Sequence, residues 1–102
     1  MGSLQRRSFT LPANFMYEGD IQLTTVEIFR LRGDVKACDF SHMVLVYSSG
    51  DGTQTQVELQ RQDEGFKPFT EWLLGHWETR VPRQYNWLAF YLRKVLYEKE
   101  ED

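Results

Sequence analysis

The hydrophobic period of this chain changes once, between Gln62 and Phe66, and that change constrains the fold more than any other feature. Before it, apolar residues tend to alternate with polar ones in runs bounded by turn formers, the spacing of strands. After it, they recur at three and four residues, the spacing of a helical face. A chain of 102 residues has room for a single core. Strands followed by helices around one core predict an α+β domain: about four antiparallel strands, then two C-terminal helices on one face of the sheet. The domain is expected over residues 7–100, with 1–6 a loose polar end and 101–102 a frayed acidic terminus.

The strands are read as follows. Phe9 and Leu11 alternate with Ser8 and Thr10 in a short strand that Pro12 ends. Glu18-Gly19-Asp20 is a turn. Residues 21–32 are rich in β-branched types, but their alternation is out of phase. Ile21, Leu23, Phe29 and Leu31 fall on one parity, Val26 and Ile28 on the other. A bulge near Thr24-Thr25 reconciles them. The competing reading is a short helix capped at Thr24, with Glu27 at the capping-box position. The next strand, 35–48, has its apolar part at Phe40 to Tyr47, with both faces apolar, which makes it central or covered twice. Ser48 to Gly52 is a hairpin loop. Its partner strand runs from Thr53 to Gln62, with Val57 and Leu59 on one face and glutamines and Glu58 on the other.

Phe66, Phe69, Trp72, Leu73, His76 and Trp77 mark the first helix, and a start near Glu64 or Gly65 places Pro68 in its first turn. Glu78 to Arg83 is the connection. Leu88, Tyr91, Leu92, Val95 and Leu96 mark the last helix, whose acidic end opposes the helix dipole and is expected to fray.

No catalytic, cofactor-binding or metal-binding motif emerges. Cys38 and His42 share a strand face but stand roughly 13 Å apart, too far for a nucleophile and its base. Cys38, His42, His76 and Asp39 lack the spacing of a metal site. Gly50-Asp51-Gly52-Thr53 precedes a Gln-rich strand, not the helix a phosphate loop requires. Arg32-Gly33-Asp34 resembles an integrin-ligand tripeptide, but Gly-Asp after a strand is an ordinary turn. The lone cysteine and the lack of an N-terminal apolar segment point to the cytoplasm. The longest apolar run, Met43 to Tyr47, is far short of a membrane span.

Fifteen aromatic residues are many for a core of this size. On the last helix, Trp87, Phe90, Lys94 and Tyr97 form a second stripe beside the apolar one. Either the core is thick there or the helix meets a partner. The expected partner-binding set is therefore Trp87, Phe90, Tyr91, Lys94 and Tyr97, with a protein partner or a second copy of the chain in a two-fold dimer. The alternative is single-stranded nucleic acid on Arg80, Arg83, Trp87 and Arg93. The net charge of −3 weighs against it.

From Asp39 to Trp77 the order strand, Gly-rich hairpin, strand, amphipathic helix resembles the C-terminal end of a pleckstrin-homology-like domain. The resemblance implies a seven-stranded fold and binding of a phospholipid or a peptide. The loop Ser48–Thr53 carries no basic cluster to hold a phosphate, which favours the peptide.

Overall fold

The computed structural model describes residues 4–13, 15–31, 39–81 and 83–97. The strands are β1 (Leu4–Thr10), β2 (Met16–Glu18), β3 (Ile21–Leu31), β4 (Phe40–Ser48) and β5 (Gln54–Gln60). The helices are α1 (Phe66–Arg80) and α2 (Asn86–Tyr97), joined through a 3-10 turn at Arg83–Tyr85. All strand pairs are antiparallel, in the order β1-β3-β4-β5, with β2 also on β3. This is the α+β architecture read from the change of period.

β1 and β2 lie along the same edge of β3. β1 pairs with residues 25–31 and β2 with Ile21 and Gln22. Between them the Leu11 N–H donates to the Thr24 carbonyl and the Leu23 N–H to the Phe15 carbonyl, so the ladder continues across the interruption. β2 was not foreseen, because three residues are too few to show alternation. β1 also begins earlier than expected. Leu4, Gln5 and Arg6 pair with Leu31, Arg30 and Phe29, so these three residues are strand and not a loose end. The length of β3 provides backbone partners that the local sequence does not reveal.

The bulge expected in β3 is present. The register shifts between Leu23 and Thr25, and the Thr24 hydroxyl donates to the Val46 carbonyl at 2.9 Å. Leu23, Val26 and Ile28 are thereby all buried. The helical alternative for this segment does not form. Two cross-strand rows build the inner face: Phe9, Val26, Leu45 and Val57, then Arg7, Ile28, Met43 and Leu59. The shift leaves Phe29 on the other face, stacked on His42 with centroids 4.4 Å apart. β4 is central, as its two apolar faces required.

Gly65 precedes α1, and Pro68 sits in the first turn, where a missing N–H is tolerated. The helix continues to Arg80, through part of the expected connection, and Val81 ends it in an extended conformation. Phe66, Phe69, Leu73 and Trp77 from α1 and Leu88, Tyr91, Leu92 and Val95 from α2 complete the core. The segment Asp39–Trp77 has the order the pleckstrin-homology-like resemblance needs. The described residues form one five-stranded sheet, not the seven strands it implies. Among the described residues, no helix is long and apolar enough to cross a membrane. Cys38, the Arg32-Gly33-Asp34 tripeptide and the acidic terminus at 98–102 lie outside the described residues.

Candidate functional site

The expected partner-binding residues of α2 divide between inside and outside. Tyr91 is fully buried, and Trp87 is half-buried with its ring stacked on Tyr91 at 5.4 Å. Phe90 and Tyr97 remain 54% and 62% exposed. Lys94 Nζ lies 5.1 Å from the Phe90 centroid, and the Tyr97 hydroxyl donates to Glu71 at 3.4 Å. Two half-exposed rings present on the order of 200–300 Å². A stable protein interface takes about 800 Å² from each side. The two rings would supply about a third of that area, the rest coming from residues around them.

The inward half of the set closes a buried polar cluster. Arg30 Nη1 lies 3.0 Å from Asp39 Oδ2, and the Tyr91 hydroxyl donates to Asp39 Oδ1 at 2.6 Å. The guanidinium carbons of Arg7 and Arg30 stand 4.8 and 5.2 Å from the Trp87 centroid. Burial raises the Tyr91 hydroxyl pKa well above its ordinary value, and the bond to Asp39 raises it further. Ion pairs removed from water need such a surrounding of hydrogen bonds to persist. The cluster fastens α2 to the start of β4 and to β3. It also bears on the nucleic-acid alternative. Arg83 and Arg93 are exposed, but Trp87 already holds Tyr91 and two guanidinium groups against its ring. Arg80 ends α1, and its side chain lies outside the described residues.

Two other candidates take ordinary structural roles. His42 stacks on Phe29 and shares a 2.9 Å hydrogen bond between its Nδ1 and the Ser41 hydroxyl. Gly50 to Thr53 forms the β4–β5 turn, with Gly52 at φ +90°. There the Asp51 carboxylate accepts the Thr53 N–H at 2.9 Å, a bond that lowers its pKa.

A second aromatic surface surrounds Tyr17, a residue with little local signal in the sequence. Tyr17 lies in β2 just before the turn at Gly19, where φ is +57°. Its ring is 4.9 Å from Trp72, edge to face, 5.3 Å from Tyr47 and 6.2 Å from Phe69. It stands 38% exposed between two depressions. One, of about 230 Å³, is lined by Tyr17, Ile21, Tyr47, Ser49 and Thr55. The other, of about 310 Å³, is lined by Tyr17, Glu18, Gly65, Pro68, Phe69 and Trp72. Burial, with Tyr17 close by, pushes the Tyr47 hydroxyl up to about 12. The available signal was a pair of large apolar side chains, Met16 and Tyr17, placed directly before a turn.

The outer edge of β5 is a second open surface. Ser49 N–H donates to the Thr53 carbonyl, which fixes the phase of the hairpin. With Tyr47 opposite Thr55 and Leu45 opposite Val57, the odd residues of β5 direct their backbone groups to β4. Gln54, Gln56 and Glu58 direct theirs to the free edge. At the end of the strand, Gln60 N–H donates to Asp63 Oδ2 at 2.8 Å, which closes the edge there. Natural edges are guarded by charged side chains, lysine above all, by proline or by a bulge. β5 contains no lysine or proline, carries a single charge at Glu58, and pairs with β4 in unbroken register.

No protein-family model, curated protein or solved structure matches the chain.

Proposed function

We propose that the chain is a non-catalytic protein-interaction domain that pairs with a second copy of itself along β5. The observation that carries this reading is the lightly guarded edge at Gln54, Gln56 and Glu58. The edge is self-complementary. In a two-fold antiparallel pair centred on Gln56, Gln54 stands opposite Glu58, so no like charges face each other. Thr55 meets Val57, which is otherwise an exposed apolar residue. The arrangement forms about six backbone hydrogen bonds, two for each facing pair at 54, 56 and 58. At about 1 kcal/mol each, these only approach the cost of association, so the dimer is weak and concentration-dependent.

Light scattering on a size-exclusion column, over a wide range of concentration, tests this. The wild-type chain is expected to shift from monomer to dimer. Gln56→Pro removes an N–H that points away from β4, so it should abolish the dimer while leaving the thermal melt of the monomer nearly unchanged. A wild-type chain that stays monomeric near 1 mM, where even weak complexes form, overturns the proposal. So does a dimer that survives Gln56→Pro but dissociates on Phe90→Ala, which would return the contact to α2.

A further inference from the structure

We propose that the surface around Tyr17 binds a proline-rich peptide in the polyproline II conformation, with a basic residue of the peptide beside Glu18. Tyr47 lines one depression, Trp72 lines the other, and Tyr17 lines both. At 5.3 and 4.9 Å from the Tyr17 ring, the Tyr47 and Trp72 centroids are no more than about 10 Å apart. A polyproline II helix repeats every three residues at about 3.1 Å each, so its apolar side chains return to one face after about 9 Å. One such repeat fits within that limit, so two successive turns of a peptide can present one apolar group to each depression.

The lining suits such a ligand. Tyr17, Tyr47, Phe69 and Trp72 offer flat faces on which proline rings pack. Tyrosine and tryptophan also carry a polar donor on an apolar body. A polyproline II backbone has no internal hydrogen bonds, so its carbonyls are free to accept from such donors. Because the peptide is extended before it binds, little order is lost, and shallow sites suffice. The charge is one-sided. Glu18 lines the larger depression, and the Asp20 carboxylate lies beside Gly50, next to the smaller one. Among the described residues, no lysine, arginine or histidine lines either.

This site is separate from the proposed dimer contact, apart from Thr55, which belongs to both. Testing it in the Gln56→Pro variant as well as the wild-type chain keeps the two proposals apart. The probes are decaproline, decaproline with one terminal arginine, and a glycine-serine decamer with the same arginine. Binding is followed by amide and indole chemical shifts. The arginine-bearing decaproline is expected to shift Tyr17, Tyr47, Phe69 and Trp72 in both proteins. The glycine-serine peptide should leave them unmoved. Tyr17→Ala should weaken binding about tenfold or more, as for an aromatic anchor, while Tyr17→Phe retains most of it. Glu18→Gln should remove the preference for the arginine-bearing peptide and leave plain decaproline unaffected. The proposal is overturned if no shifts appear with peptide at about 1 mM. Equal binding of the glycine-serine decamer, or full binding by Tyr17→Ala, overturns it as well.

Discussion

At one end of β3, Trp87 and Tyr91 are closed in by Arg7, Arg30 and Asp39. At the other end, Tyr17, Tyr47 and Trp72 meet at similar distances but leave an open surface. Both clusters are built from rings four to seven ångströms apart, so ring density alone does not separate a core from a binding surface. What separates them is the partner of each polar group. Around Tyr91 the hydroxyl and one guanidinium nitrogen both bond to the Asp39 carboxylate, and the aromatic faces are taken up as well. Beside Tyr17, Glu18 lies in the wall of a depression and is exposed to solvent.

The largest loss is expected at Asp39. Asp39→Ala removes the carboxylate from both the buried guanidinium and the Tyr91 hydroxyl, and should cost about 3–5 kcal/mol in urea denaturation. Tyr17→Ala, measured in the same way, should cost about 1 kcal/mol or less, because a surface ring gives up little burial. If the two variants lost equal stability, the distinction between the clusters would be wrong.

A smaller effect is expected from Tyr91→Phe, which keeps the ring and deletes one hydrogen bond to a charged group. It should lower stability by about 1.5–3 kcal/mol near neutral pH. It should also change the alkaline limb. Folding holds the phenolic proton of Tyr91, and of Tyr47, more tightly than the unfolded chain does. Their contribution is complete below the ordinary value of 10.0 and is lost as pH rises through the raised folded values, about 12 for Tyr47. Wild-type stability should therefore fall from about pH 10 upward, and Tyr91→Phe should make that fall shallower. In an absorbance titration, Tyr47 and Tyr91 should ionise above the ordinary tyrosine value.

The smallest effect concerns the turn that supports Tyr17. Gly19→Ala forces a side chain into a positive-φ position and should cost about 1 kcal/mol. If Tyr17 depends on that turn, its ring contacts with Trp72 should weaken together with the stability, visible as a change in the Trp72 indole shift.

Much of the fold could be read directly. The change of period separated sheet from helices, and the broken alternation at Thr24 predicted the bulge that aligns Leu23 with Val26 and Ile28. The site was less legible for a physical reason. The stripe Trp87, Phe90 and Tyr97 repeats along one helix, but which of its members is covered depends on β1 and β3, far away in sequence. Trp87 is taken up by Arg7 and Arg30, and Phe90 is not. Tyr91 belonged to both the apolar stripe and the expected contact set, and Asp39 settles the matter by drawing it inward. Tyr17 carried almost no local signal, since its surroundings come from β4, α1 and the turn before α1.

The bulge at Thr24 has a consequence for insertions and deletions in this chain. Thr24 is the single extra residue that brings the two halves of β3 into phase. A chain lacking only that residue would keep nearly the same composition and every β-branched side chain around it. Yet all side chains on one side of the gap would exchange faces, either Leu23 turning to solvent or Val26 and Ile28 doing so together with Arg30. Position 24 thus acts as the phase reference of the sheet: exchanges of residue type there are local events, whereas a change of length is a global one.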